Sequence, residues 1–240
     1  MSDPSALVDL IDALAVRLER LTFGPPVTHV YNPLSYARKP YLTYLERFGA
    51  PPREILIVGM NPGPWGMIQT GIPFGEVEAV TGWMGIRDAV GRPDRLHPKR
   101  PVDGMACRRS EVSGRRLWGW ARERFGSPER FFSRILVLNY CPLAFFDARG
   151  ANITPDKLPA ADRKPLLEVC NEALRACVSC YTPRHVIGVG RFAAGQASVA
   201  LAGLPVRVGR ITHPSPANPR ANRGWPSLIE SELSAMGIRL

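Results

Sequence analysis

The stretch Ile55-Leu56-Ile57-Val58-Gly59, continued by Met60-Asn61-Pro62-Gly63-Pro64-Trp65-Gly66, decides the fold. Four consecutive apolar residues with no polar alternation read as a strand buried on both faces. The glycines and prolines that follow at once end it. The same pattern recurs at Ile135-Leu136-Val137-Leu138 before Asn139, at His185-Val186-Ile187-Gly188-Val189, and from Val206 to Thr212. A strand without a polar face needs a layer on each side, and helical spacing supplies candidates at 113–125, 163–181, 192–202 and 227–236. Upstream, Ser2-Asp3-Pro4 is a helix start, and Leu7, Leu10, Ile11, Leu14, Leu18 and Leu21 follow at helical spacing. A shorter helix is expected near Tyr41 to Phe48. The alternation predicts one α/β domain over residues 1–240: a three-layer sandwich with a central, mostly parallel four-stranded sheet flanked by helices.

In such sheets ligands bind beyond the carboxyl ends of the strands. The polar residues found just past three of the four strands are Asn61, Asn139 and His213. The segment Gly59 to Gly75 is so rich in glycine and proline that it predicts a rigid loop, without helix or strand, bringing backbone amides to a ligand. Neither G-x-x-x-x-G-K-[ST] nor a strand-bound G-x-G-x-x-G is present, so these phosphate motifs lend no support to nucleotide binding. The segment from His213 to Trp225 is a proline-stiffened polar loop carrying Arg220 and Arg223. It suits a catalytic group beside a probe that enters a nucleic-acid groove.

The formal net charge of +10 favours a polyanionic partner over a small neutral ligand. Nine of the cations, from Arg87 through Arg116, face only Asp88, Asp94, Asp103 and Glu111 in the same stretch. No apolar run approaches the roughly 18 residues of a membrane span. A soluble intracellular protein and a monomer is therefore expected, cytoplasmic or nucleoid-associated in a bacterium and nuclear in a eukaryote. Five irregularly spaced cysteines do not form a disulfide framework. Cys177 and Cys180 make a C-x-x-C, but they lie within an apolar helical pattern and read as core packing rather than metal or redox chemistry.

Five motifs carry a resemblance. They are the loop Gly59 to Glu76, Pro98-Lys99-Arg100-Pro101-Val102, Ser110-Glu111-Val112-Ser113-Gly114, Asn139-Tyr140-Cys141-Pro142-Leu143, and His213-Pro214-Ser215-Pro216-Ala217-Asn218-Pro219-Arg220-Ala221-Asn222. In this order they span about two-thirds of the chain, and together they resemble the single-strand-selective monofunctional uracil-DNA glycosylases, a branch of the uracil-DNA glycosylase superfamily. The resemblance implies that uracil is flipped out of single- or double-stranded DNA and removed by hydrolysis, leaving an abasic site in base-excision repair. C5-modified uracils such as 5-hydroxymethyluracil are expected substrates too.

By the same resemblance Phe74 stacks on the flipped ring and Asn139 reads its edge, while Met60 and Gly63 shape the pocket. Asn61 holds the attacking water and His213 donates to the uracil O2. Lys99, Arg100, Ser215, Pro216, Asn218, Arg220, Asn222 and Arg223 are expected to contact DNA. Ala217 is a departure, since family members often carry a basic residue there; Arg220 and Arg223 are the candidates to compensate. Relatives with an iron–sulfur cluster use cysteines near the N-terminus, and none precedes Cys107 here, so neither cluster nor other metal or cofactor is expected. Two alternatives stand beside this reading: a same-fold glycosylase preferring deaminated purines, and a non-catalytic nucleic-acid-binding module. Pocket size separates the first, and base release the second.

Overall fold

The computed structural model describes residues 4–240, so the capping expected of Ser2 and Asp3 lies outside the described residues. Its strands are β1 (His29–Tyr31), β2 (Ile55–Gly59), β3 (Ile135–Asn139), β4 (Ala144–Phe146), β5 (Asn152–Ile153), β6 (His185–Val189) and β7 (Arg207–Ile211). Four of them form one sheet in the order β3-β2-β6-β7, and every pairing in it is parallel rather than only most. The register sets Gly59 opposite Asn139, so the loops after β2 and β3 leave the sheet side by side. Every residue of β2 and β6 is buried, as unbroken apolar strands with covered faces must be.

Helices supply that cover. Gly190–Ala200 packs on β2, β6 and β7, and behind it Ala160–Tyr181 packs against both this helix and Pro4–Glu19. Val112–Phe125 packs on Pro128–Phe132, which reaches β3, and on Trp225–Ala235, which reaches β7. An aromatic cluster binds this second group. Trp118, Trp120, Phe131 and Phe132 are all buried, with Phe131 and Phe132 edge to face at 4.9 Å. The Tyr41 to Phe48 helix is Arg38–Phe48, and its Tyr44 hydroxyl donates to Val137 O of β3 at 3.0 Å.

Several boundaries differ from expectation. The long helix starts at Ala160 rather than 163, and Pro165, its sixth residue, leaves one backbone acceptor of the ladder without its usual donor. The edge strand is shorter than 206–212, and only Ile211 in it is buried. The segment Gly59 to Gly75 is not without helix: Met67–Thr70 forms one helical turn. Those four residues contain neither glycine nor proline, all are buried, and the turn stops at Gly71, whose φ of 78° is left-handed.

A second, antiparallel sheet in the order β1-β4-β5 had no signal in the sequence, because strands of two or three residues are too short to show a period. It places Asn152 and Thr154 near the carboxyl ends of the main sheet, where both line a cavity. Cys177 is buried in the core and Cys180 packs at its edge, as the helical pattern indicates, and burial pushes the Cys177 thiol up to about 12.

Candidate active site

Beyond the ends of β2 and β3 the chain continues to pair. Tyr140 N donates to Gly59 O at 2.8 Å and Cys141 N to Met60 O at 2.9 Å. These bonds hold the two crossover loops as one wall. Between them and the loop after β7 lies a cavity of about 280 Å³, lined by Met60, Asn61, Gly63, Phe74, Asn139 and His213 among others. The fold thus collects all six residues expected to recognise or process a base, although they are spread from position 60 to position 213 of the sequence.

Asn139, the last residue of β3, is half-buried and donates Nδ2 to the Met67 sulfur at 3.2 Å. That fixes the amide with its oxygen toward Gly59, where a Cβ would stand 2.5 Å from Asn139 Oδ1 and 2.6 Å from Phe74 Cε2. Only glycine permits both side chains to approach the strand end. A thioether is a weak acceptor, so exchanging it for a ligand carbonyl oxygen is favourable. Phe74 adopts a φ of 53°, rare for a bulky residue. Its carbonyl accepts from Trp118 Nε1 at 3.0 Å and from Glu76 N at 2.7 Å, so the surrounding structure holds the strained backbone in place. The Phe74 and His213 rings lie 6.3 Å apart at 44° and share one cavity.

Asn61 donates Nδ2 to Leu143 O at 3.3 Å, which leaves its Oδ1 as the acceptor for a water. Thr212, just before His213, is anchored from three directions. Its N and Oγ1 each donate to Glu232 at 2.6 Å, and its carbonyl accepts from Trp225 Nε1 at 2.8 Å. His213 Nδ1 accepts from Ser215 N at 3.0 Å, so the proton of the neutral ring sits on Nε2. Burial holds this imidazole below its ordinary pKa, because charging it would cost solvation. The arrangement offers a neutral, immobilised N–H donor, a preorganised acceptor for water, and an aromatic face with an amide edge reader.

The residues expected to meet DNA separate into two groups. Lys99, Pro216, Arg220 and Arg223 are exposed, and Ser215 lines the cavity. Asn218 and Asn222 also bond within the loop itself. Asn218 caps the turn Pro219–Asn222 by accepting from Arg220 N at 3.1 Å, and it donates to His213 O at 3.4 Å. Asn222 donates to Pro216 O at 2.9 Å and accepts from Arg116 at 2.8 Å, and the same Arg116 donates to Pro214 O at 2.9 Å. Arg100 is half-buried and donates Nε to Gly150 O at 2.6 Å, while Ala217 is exposed at the loop tip.

Sequence reasoning passed over Glu111. This residue caps the helix Val112–Phe125 through Ser113 N and Gly114 N, and it also lines the cavity. Its place in Ser110-Glu111-Val112-Ser113-Gly114 carried a helix-start signal, but nothing in the sequence brings that start to the cavity wall. Among the described residues no group of three or more His, Cys, Asp or Glu side chains could hold a metal ion, and no helix is long and apolar enough to cross a membrane.

The profile of the Uracil DNA glycosylase superfamily matches residues 46–228. The single-strand selective monofunctional uracil-DNA glycosylase of Rattus norvegicus is 47% identical over 227 residues, 94% of this chain and 82% of that protein. The corresponding Bos taurus protein is 47% identical over 223 residues, 92% of this chain and 82% of its own length. The crystal structure of wild-type Pedobacter heparinus SMUG2 superposes with a TM-score of 0.68 at 19% identity, over 95% of this chain and 97% of that one, and speaks to the fold.

Proposed function

The chain belongs to the Uracil DNA glycosylase superfamily, and from that premise we propose that it hydrolyses the bond between an extruded uracil and its deoxyribose, in single-stranded DNA by preference. The observation that carries the reading is the convergence of Asn61, Phe74, Asn139 and His213 on one cavity at the carboxyl ends of the sheet.

The steps follow from the geometry. The flipped ring stacks on Phe74, and Asn139 matches the uracil edge, its Nδ2 turning from the Met67 sulfur to O4 while Oδ1 accepts from N3–H. Cytosine presents a donor and an acceptor in the opposite order and is refused. Asn61 Oδ1 holds a water against the anomeric carbon. As the glycosidic bond breaks, negative charge gathers on the base and the His213 Nε2–H stabilises it at O2. The water's oxygen bonds to the sugar carbon, its proton passes to solvent, and the base leaves as an anion. No protein nucleophile takes part, so the product is an abasic site with the strand intact. Gly63 presents no side chain to the cavity, which leaves room for a polar substituent at C5 such as hydroxymethyl.

A panel of single-stranded oligonucleotides, each with one modified base, tests this when treated with alkali after incubation to cut abasic sites. Cleavage at uracil and 5-hydroxymethyluracil and none at cytosine is the expected result. Cleavage only at hypoxanthine or xanthine moves the protein to purine excision, and binding without any cleavage makes it a non-catalytic module.

A further inference from the structure

A second cavity, of about 430 Å³, adjoins the base cavity; its walls include Trp65, Lys99, Asp103, Arg108 and Arg109. Trp65 stands in sequence between Gly63 and Gly66, both of which line the base cavity, so one short turn walls both spaces. Successive Cα atoms are about 3.8 Å apart, so residues that line the two spaces follow one another directly along this turn.

The junction is stiff. Gln69 is fully buried; its Nε2 donates to Pro64 O at 3.1 Å and to Pro101 O at 3.0 Å, and its Oε1 accepts from Asp103 N at 2.8 Å. One amide thus ties the catalytic loop to the basic segment. The Arg109 guanidinium lies 4.4 Å from the Trp65 ring centroid and that of Arg100 5.5 Å. Among the described residues Lys99, Arg108 and Arg109 make no ion pair, and Asp103 is the one carboxylate on the cavity wall. A guanidinium resting on an indole keeps its N–H edge free and loses little freedom when it meets an anion. Unpaired cations beside a base pocket, one of them resting on an indole, match a phosphodiester backbone.

We propose that this shelf grips the DNA strand flanking the extruded nucleotide, with Arg108 and Arg109 on its phosphates, Lys99 adding charge, and Trp65 as a positioning residue for Arg109. The proposal rests on the reading of the adjacent cavity as the base site. It concerns the strand's backbone, so it acts on affinity and not on bond cleavage.

Anisotropy with a uracil-free single-stranded oligonucleotide across a salt series tests it, alongside single-turnover release from a uracil oligonucleotide. The control is Arg207→Ala, an exposed cation at the other end of the sheet, opposite His185. The double variant R108A/R109A should bind more weakly and lower the log–log salt slope by roughly 1.4, about 0.7 for each single-strand phosphate that it no longer neutralises. Its KM for excision should rise while the rate at saturating DNA stays within a few-fold of wild type. Trp65→Ala should weaken binding and Trp65→Phe should retain most of it, since an aromatic face is what holds Arg109. A double variant indistinguishable from R207A in affinity and slope overturns the shelf alone. A wild-type protein that releases no base overturns the function proposed above instead.

Discussion

Ser215 N donates to His213 Nδ1 at 3.0 Å, and this backbone contact sets the chemistry available to the histidine. With Nδ1 occupied as an acceptor, the neutral ring carries its proton on Nε2. Protonating Nδ1 would set two N–H donors against each other at that distance, so hydrogen bonding and burial both oppose the charged form.

His213 should therefore work as a neutral donor. His213→Ala is expected to release uracil at least ~10²-fold more slowly in single turnover while still binding uracil-containing DNA. In wild type the rate should stay level as pH falls from about 8 to about 6.5, the ordinary histidine pKa, and drop only below that. Because the folded pKa lies below the unfolded one, the unfolded chain holds more protons in the window between them, so stability falls as pH drops through it. Denaturant titrations from about pH 7 down to about pH 5 should show that slope in wild type and a shallower one in His213→Ala.

Asn61 is held by its donation to Leu143 O at 3.3 Å. Asn61→Ala removes the acceptor for water and should slow release at least ~10²-fold. Asn61→Asp keeps an acceptor but sets a carboxylate oxygen against the Leu143 carbonyl, which raises the carboxyl pKa. Its rate should exceed that of Asn61→Ala and climb with pH as the carboxyl ionises. A pH–rate profile no steeper than wild type would remove residue 61 from contact with the water.

Gly59→Ala would place a methyl 2.5 Å from Asn139 Oδ1 and 2.6 Å from Phe74 Cε2. Both side chains must move, and a displacement of about an ångström in a preorganised site costs on the order of 10²-fold in rate. Single-turnover release should fall accordingly, and discrimination between uracil and cytosine should narrow. Unchanged selectivity would show that Asn139 does not read the base.

Glu111 joins a helix cap to the cavity wall, and burial pushes its carboxyl above the usual range. The native state then holds the extra proton between the unfolded and folded pKa values, so this group's contribution to stability is complete at low pH and is lost as pH rises through the folded value. Glu111→Gln puts a neutral amide of the same shape in place of the protonated carboxyl; it keeps one carbonyl acceptor for the cap and does not titrate. Melting temperatures of the two proteins should lie closest together below the ordinary glutamate pKa of about 4.3, and wild type should fall relative to the variant as pH rises. A wild type that gains on the variant with rising pH would mean the carboxylate is stabilised there rather than strained.

The sequence by itself determined the layers and which polar residues stand at the strand ends. Unbroken apolar runs such as Ile55 to Val58 can be buried only between two helical layers, and side-chain period is a local property readable without coordinates. Asn61, Asn139 and His213 were legible for the same reason, as polar residues where buried strands stop. The resemblance added Phe74, Met60 and Gly63, which no period reveals.

Tertiary structure alone decided what each of these groups can do. The Met67 sulfur that orients Asn139, the Leu143 carbonyl that holds Asn61, and the Glu232 and Trp225 anchors behind Thr212 come from other strands, loops and helices. Hydrogen bonds between residues tens of positions apart leave no trace in local patterning. The small sheet of β1, β4 and β5 escaped because its strands are too short to be periodic, and the hydrogen bonds that Asn218 and Asn222 make within their own loop escaped because they depend on how that loop folds back on itself.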